Sequence, residues 1–126
     1  ADIDHFKRIN DSHGHDGGDD VLREFAKRVS ATLRASDTAA RIGGEEFAVA
    51  MPDTDEQAAK AVCERIRVGV ETRPFGAGIV SLPVTVSIGY ALLRDDDDLS
   101  KLMKRADLAL YLAKEKGRNQ VASLSA

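Results

Sequence analysis

The sequence predicts an α/β (α+β) sandwich, in which helices pack on one mixed central sheet and a small hairpin is added. The clearest helical stretch repeats apolar residues at three- and four-residue spacing, and short β-like runs lie between the predicted helices. The resulting order, β-α-β-β-α-β-α-β, places helices between strands, as a layered α/β domain requires. With 126 residues, the chain suits one domain, 1–126.

Composition excludes several classes of protein. Lys and Arg number 18 against 21 Asp and Glu, a net charge of −3 that argues against coating nucleic acid by bulk charge. A single cysteine, Cys63, can form no intrachain disulfide. No apolar run approaches the roughly 18 residues that span a bilayer, and no signal peptide opens the sequence. We therefore expect a cytoplasmic domain that contacts neither nucleic acid nor membrane.

The first predicted elements are a strand end, a loop and a long helix. Residues 1–4 read as the last part of a strand whose start is absent. Residues 10–18 are polar and rich in glycine, which predicts a loop. A helix follows over about Asp19 to Leu33, with one apolar face. That face consists of Val21, Leu22, Phe25, Val29 and Leu33.

A hairpin and a second helix come next. Two β-like runs, Thr38–Ile42 and Phe47–Met51, flank a pair of glycines, which predicts a tight antiparallel hairpin. Asp53 and Glu56 have the spacing of a capping box. This spacing predicts that the second helix covers about Glu56–Val70.

The last third of the sequence predicts two further strands and a helix. Pro74–Val80 is glycine-rich and weakly β, which favours a small hairpin. Pro83–Leu92 alternates apolar with small or polar residues and predicts a strand. The run Asp95–Asp98 is typical of a solvated turn that starts a helix, here Leu99–Glu115. Gln120–Ser123 predicts a final strand.

Two acidic clusters stand where strands are predicted to end. Asp2-Ile3-Asp4 is one, and Glu45-Glu46, directly after Gly43-Gly44, is the other. Neighbouring carboxylates repel unless a cation neutralises them, and Mg²⁺ prefers such oxygen ligands together with substrate phosphates. Glycines leave no Cβ at the turn, so a phosphate can approach the backbone N–H groups. The pattern indicates a Mg²⁺–nucleotide site; the alternative is an ordinary turn followed by solvated glutamates.

The same residues resemble the signature of the GGDEF family, the diguanylate cyclases. Gly43–Phe47 reads Gly-Gly-Glu-Glu-Phe, and family-like segments extend over nearly the whole chain in the expected order. These segments are Asp2–Asp11, Gly14–Asp19, Arg41, Val86–Gly89, Lys104–Asp107 and Lys114–Asn119. The family's segment upstream of the first strand is missing, so the resemblance implies a domain without its N-terminal helix and the start of that strand.

The resemblance implies both an activity and a metal site. Members condense two GTP molecules into cyclic di-GMP and release two pyrophosphates, on a fold similar to nucleotide cyclases and polymerase palms. By position, Asp2 and Glu45 look like carboxylate ligands of Mg²⁺, with Mn²⁺ as an alternative ion, and Ile3 offers its backbone carbonyl. Glu45 also resembles the general base. Glu46 resembles a residue that assists the second metal or the attacking hydroxyl.

The resemblance also implies the nucleotide contacts. Asn10 and Asp19 match guanine-reading positions, and a carboxylate suits the N1–H and N2–H₂ donors of guanine. The alternative for Asp19 is a helix N-cap, and the alternative for His15, another substrate position, is a loop histidine bonded to nearby backbone. The remaining substrate contacts implied are Phe6, Lys7, Gly43, Gly44, Lys114 and Arg118. The last two could instead interact with the helix dipole.

A separate motif indicates product inhibition. Arg34-Ala35-Ser36-Asp37 fits the family's inhibitory Arg-x-x-Asp pattern, five residues before the signature. An arginine fork binds guanine edges or phosphates, and an aspartate accepts from guanine. Arg65 resembles a secondary contact to the product. Without the family context, the Arg34/Asp37 pair is a helix-end charge pair.

Each family domain holds one GTP, so the resemblance implies that two copies face each other as a homodimer. Such domains usually follow a sensor, receiver or coiled-coil module, which implies an N-terminal partner domain. The alternative function is a catalytically silent module that binds GTP or cyclic di-GMP and regulates a partner enzyme.

Overall fold

The structure is a computed structural model that describes residues 1–77 and 80–124. These residues form three helices and seven strands. In chain order they are β1 (Asp2–Ile3), α1 (Phe6–Thr32), β2 (Thr38–Arg41), β3 (Phe47–Ala50), α2 (Glu56–Glu71), β4 (Phe75–Ala77), β5 (Val80–Leu82), β6 (Val86–Tyr90), α3 (Leu99–Glu115) and β7 (Val121–Ser123).

Three of the strands form a mixed sheet in the order β1-β6-β7, which confirms the predicted fold class, and β4 and β5 pair as a separate antiparallel hairpin. β1 pairs antiparallel with β6, and β6 pairs parallel with β7. The antiparallel β2–β3 hairpin joins this sheet through β1, because Asp2 forms an antiparallel bridge with Glu46. The Ile3 N–H donates to the Glu45 carbonyl at 3.3 Å, and the Phe47 N–H donates to the Ala1 carbonyl at 2.8 Å. The start of β3 therefore lies beside β1.

The core lies between the helices and this sheet. In α1, the predicted apolar face is buried at Val21, Leu22, Phe25 and Val29. The rings of Phe25 and Phe47 lie 4.9 Å apart and tilted, so α1 packs directly on β3. This contact places the second half of α1 against β3, the strand that follows the glycine turn.

Helix α3 approaches β6 so closely that one strand position has no room for a side chain. A Cβ placed on Gly89 would lie 2.1 Å from the Leu110 nitrogen and 2.6 Å from the Ala106 carbonyl oxygen. Both are backbone atoms, which cannot rotate away. Glycine at this position lets the helix backbone rest on the strand.

The end of α2 is fixed by an arginine from α1. The Arg28 guanidinium donates to the carbonyls of Gly69, Val70, Arg73 and Pro74, at 2.8–3.2 Å. It also lies 3.8 Å from the ring centroid of Phe75. Because a helix leaves its last carbonyls without partners, these bonds stabilise the end of α2.

Three sequence predictions are corrected by the structure. Residues 10–18, predicted as a loop, belong to α1, which is kinked at Gly14 (φ 73°, ψ 175°). The N-cap of α2 is Asp55, which accepts from the Ala58 N–H at 2.8 Å, and not Asp53. The small hairpin extends to Leu82, while residues 78 and 79 of the predicted Pro74–Val80 hairpin lie outside the described residues.

The remaining boundaries agree with the predictions to within a few residues, and Asp98 caps α3 by accepting from the Lys101 N–H at 2.8 Å. Within residues 1–77 and 80–124, none of the helices combines the length and the apolar character needed to cross a membrane.

Candidate functional site

The turn between β2 and β3 is built from residues 42–46. The Glu46 carbonyl accepts from the Ile42 N–H at 2.9 Å and from the Gly43 N–H at 3.4 Å. The Arg41 Nε–H donates to the carbonyls of Gly43 and Gly44, at 3.3 and 2.9 Å. These bonds hold the turn in one shape, and they orient two carbonyls toward Arg41.

The turn does not itself require both glycines. Neither Gly43 nor Gly44 has a positive φ. A Cβ on Gly44 would meet nothing within 4 Å, and one on Gly43 would make only ordinary contact with the Glu46 Cβ at 3.7 Å. The fold therefore leaves the space beside these two glycines open, so that a ligand could approach the backbone closely.

Gly44 and Glu45 form one end of a cavity of about 280 Å³. The other walls come from both halves of α1 and from β2. The lining residues are Phe6, Lys7, Asn10, His15, Asp19, Leu22, Arg41, Gly44 and Glu45. The structure therefore brings together seven of the residues predicted from sequence. Leu22 and Arg41 line the cavity in addition to the predicted set.

The kink in α1 shapes the cavity. Gly14, in a left-handed conformation, changes the direction of the helix so that residues on both sides of it face the same space. Asn10 and Asp19 reach the cavity from the two sides of the kink. Asp19 lies within α1 and is not its N-cap, which is His5. The capping alternative for Asp19 is therefore wrong.

The carboxylate of Asp2 lies beside the turn, on the neighbouring strand. Asp2 is 6% exposed and forms a bridge with Glu46, and the backbone bond from Ile3 to Glu45 brings the other glutamate beside β1. The Lys114 ammonium, from the end of α3, donates to the Asp2 carboxylate at 2.7 Å. Lys114 thus reaches the acidic cluster, and the alternative in which it interacts only with its own helix dipole is wrong.

Arg118 is not brought to the cavity. It is exposed in the turn after α3, with φ 65°, and it is absent from the cavity lining. The neighbouring Asn119 N–H donates to Asp4 at 3.0 Å. Arg118 therefore lies close in sequence to a residue that supports β1, without lining the cavity itself.

Asp4 belongs to the predicted acidic cluster without an individual role there, and the structure shows that it anchors the strand that carries Asp2. Its carboxylate is 5% exposed and accepts from the hydroxyls of Ser87 at 2.6 Å and Thr85 at 2.8 Å, besides the Asn119 N–H. These bonds tie β1 to β6 and to the turn before β7. A buried carboxylate with three donors is well satisfied, so Asp4 positions the strand.

A model of the GGDEF domain of diguanylate cyclases matches residues 1–120. The chain belongs to the GGDEF family. Response regulator PleD of Caulobacter vibrioides is 49% identical over 128 residues, covering 99% of this chain and 28% of PleD. Diguanylate cyclase A of Treponema denticola is 48% identical over 121 residues, covering 95% of this chain and 33% of that protein.

A comparison with solved structures agrees with this family assignment. The GGDEF domain of DgcB from Caulobacter crescentus, crystallised with c-di-GMP, superposes with a TM-score of 0.91 at 40% identity, covering 96% of this chain and 72% of that one. This chain thus spans about a third or less of the two curated relatives named above, and most of the solved GGDEF domain.

Arg34 and Asp37 of this GGDEF domain form an ion pair. The Arg34 side chain donates to both carboxylate oxygens, at 3.2 and 2.9 Å, and its backbone N–H donates to one of them at 2.9 Å. The same guanidinium donates to the Pro52 carbonyl at 3.0 Å and the Thr54 hydroxyl at 2.8 Å. The hydrogen bonds from Arg34 hold the pKa of Asp37 below its usual range.

Arg65 is exposed on α2. Among the described residues it makes no hydrogen bond or ion pair with Arg34 or Asp37. The structure therefore keeps the two-residue pair together and does not join Arg65 to it.

The donor chemistry of the acidic cluster fits a magnesium ion that is held partly by substrate. Among residues 1–77 and 80–124, no three acidic, histidine or cysteine side chains are grouped to hold a metal by themselves. Asp2, on β1, and Glu45, in the turn beside it, still carry carboxylates, the hard oxygen donors that Mg²⁺ prefers. Mg²⁺ is usually bound by one or two carboxylates plus substrate phosphates, so such a sparse protein set suffices.

Proposed function

We propose that this GGDEF domain is a diguanylate cyclase that condenses two GTP molecules into cyclic di-GMP and two pyrophosphates. One observation carries the proposal. A single cavity joins polar residues suited to reading a base, Asn10 and Asp19, to an open glycine turn and an acidic residue suited to phosphate chemistry, Gly44 and Glu45. The names of the relatives favour turnover over a silent binding module.

Base recognition follows from the chemistry of Asp19. A carboxylate accepts hydrogen bonds but does not donate them, so it pairs with the N1–H and N2–H₂ donors of guanine. Adenine presents no such pair of donors on the corresponding edge. Asp19 and Asn10 should therefore select GTP over ATP, with Phe6 and His15 as further substrate contacts that line the same cavity.

Charge supports the orientation of the triphosphate. The open Gly43-Gly44 turn admits a phosphate close to backbone N–H groups. Lys7 lines the cavity. The Lys114 ammonium donates to the Asp2 carboxylate, beside the two glutamates. We assign Lys7, Lys114 and Arg118 to phosphate binding, the last from sequence resemblance alone.

We assign Asp2, the Ile3 carbonyl, Glu45 and Glu46 to the metal site. When bound, Mg²⁺ or Mn²⁺ supplies stabilisation of the charge that develops on the α-phosphate. Glu45 would accept the proton of the attacking 3′-hydroxyl, and Glu46 would assist it. The Asp4 bonds to β6 keep Asp2 in register with these glutamates while the substrate binds.

The stoichiometry requires two copies. The part of the chain that the structure describes offers one such cavity for one GTP, whereas the product contains two guanylates. Each 3′-hydroxyl must attack the α-phosphate held by the facing copy, so the active species is a homodimer. Turnover is then second order in protein unless a neighbouring domain, such as an N-terminal sensor or receiver, holds two copies together. We place this reaction in the cytoplasm, where GTP is available.

Product inhibition is assigned to Arg34 and Asp37, with Arg65 as a further contact. The Arg34 guanidinium is half exposed, and its bonds to the fully covered Asp37 side chain hold it in fixed geometry, which suits a guanine edge or a phosphate of cyclic di-GMP. Such a pre-organised pair pays little entropy on binding.

The test is incubation of the protein at high concentration with GTP and Mg²⁺, followed by chromatography of the nucleotides. We expect cyclic di-GMP and pyrophosphate from the wild type. Glu45→Ala should form none, although its circular dichroism and its GTP binding persist. Binding without turnover in the wild type would instead identify a silent binding module and contradict the proposal.

A further inference from the structure

Gly18, in the second half of α1, lies in close contact with side chains of the first half. A Cβ placed there would lie 1.8 Å from the Asn10 Oδ1, 3.0 Å from the Asn10 Cγ and 3.2 Å from the Phe6 Cζ. The first of these distances is far below any van der Waals contact. The Asn10 side chain therefore occupies the space that a methyl group at position 18 would need.

The contact runs against the local preference of the helix. A glycine in the interior of a helix costs about 0.5–1 kcal/mol relative to alanine. Gly18 is buried within α1 and has no positive φ that would require glycine. What requires glycine at this position is the packing of Asn10 and Phe6 across it.

Packing alone positions the Asn10 carboxamide. Within residues 1–77 and 80–124, no hydrogen bond from another residue reaches its side chain, and no buried polar side-chain atom lacks a partner. Asn10 lines the cavity together with Asp19, while its Oδ1 rests against Gly18. Its side chain is therefore open to a ligand in the cavity.

We propose that Gly18 is a positioning residue for base specificity. The Asn10 side chain packs against Gly18, and this contact holds the carboxamide in the position that recognises guanine. This inference rests on the proposed GTP site and assigns a role to a residue that would not touch the nucleotide. An alanine at position 18 would push the Asn10 carboxamide out of place, while Asp19 would keep its own position in the helix.

The decisive experiment is a double-mutant cycle on nucleotide binding. The dissociation constants of GTP and ATP are measured by calorimetry for the wild type, Gly18→Ala, Asn10→Ala and the double variant. A lost hydrogen bond weakens binding by about 3- to 10-fold. We expect this loss for GTP, but not for ATP, in both single variants. In the Asn10→Ala background, Gly18→Ala should cost no further affinity, because Oδ1 and Cγ are already absent.

Gly69→Ala is the matched control, since Gly69 also lies within a helix and a Cβ there would meet nothing within 4 Å. It should bind GTP as the wild type does. Thermal unfolding without nucleotide gives a second readout. The change in Tm caused by Gly18→Ala should be more favourable in the Asn10→Ala background than in the wild type, because the side chain that it displaces is then absent.

Two results would contradict the positioning role of Gly18 and leave the proposed function intact. In one, the wild type binds GTP and Gly18→Ala binds it equally well. In the other, Gly18→Ala costs the same affinity with and without Asn10. A wild type that binds no GTP would instead overturn the proposed function itself.

Discussion

Substitution of Gly89 by alanine tests the close packing of α3 on β6. The added methyl would lie 2.1 Å from the Leu110 nitrogen, 2.6 Å from the Ala106 oxygen and 2.7 Å from the Ala109 carbonyl carbon. All three belong to the backbone of α3. Neither a rotamer change nor a small side-chain shift can relieve contacts with backbone atoms, so α3 must move away from β6.

The expected cost follows from these distances. Overpacking a core costs typically about 1–3 kcal/mol, and a clash with three backbone atoms belongs at the upper end, about 3 kcal/mol. For a domain of this size, each kcal/mol changes Tm by about 4 °C. Gly89→Ala should therefore lower Tm by about 12 °C.

Differential scanning calorimetry of wild type and variant measures this shift. Gly69→Ala is again the control, because the open space around Gly69 leaves only the gain in helix propensity, about 0.5–1 kcal/mol. It should raise Tm by a few degrees. A Gly89→Ala protein that melts within about 2 °C of the wild type would refute the close approach of α3 to β6.

Three further predictions concern charge, reactivity and inhibition. Hydrogen bonds from Arg105 lower the pKa of Asp97 to about 2, so this pair stabilises the fold above the unfolded pKa, about 4, and the stabilisation is lost as pH falls toward 2. Asp97→Asn should therefore lower Tm at pH 7 and have little effect near pH 2; an equal effect at both would contradict the pairing. Burial raises the pKa of Cys63 to about 11, so iodoacetamide at pH 8 should label it in denaturant but not in the native protein, as mass spectrometry will show. Thr54→Val removes the hydroxyl that accepts from Arg34 and should raise the cyclic di-GMP concentration for half-inhibition about 3- to 10-fold, with Thr54→Ser as the control and an unchanged initial rate.

Much of the fold was predictable because local rules and packing agree. The apolar face that begins at Val21 has helical spacing, and the packing of α1 on β3 confirms it. The prediction of a loop over residues 10–18 is wrong, because glycines and polar side chains favour a loop when only the local sequence is considered. In the structure only Gly14 leaves helical geometry, and tertiary contacts such as that of Asn10 with Gly18 hold the remainder.

In the candidate site, too, some residues were predictable from the sequence and others were not. The acidic and glycine residues carry recognisable chemistry, and the cavity contains most of them. Asp4 was not assigned a role, because its partners lie 81 to 115 positions away in sequence. Arg41 resembled the family only by position, and its bonds to the turn carbonyls appear only once the hairpin is folded. Long-range hydrogen bonds leave no periodic signal in a sequence.

The measurement that tests the central claim most directly is the rate of cyclic di-GMP formation from GTP as a function of protein concentration, with pyrophosphate measured in parallel. Two facing copies predict a rate that rises with the square of protein concentration at low occupancy of the dimer, and two pyrophosphates for each cyclic di-GMP. Asp19→Asn should reduce the preference for GTP over ATP in the same assay. Formation of a different nucleotide product, or no cyclic di-GMP at any protein concentration, would contradict the account.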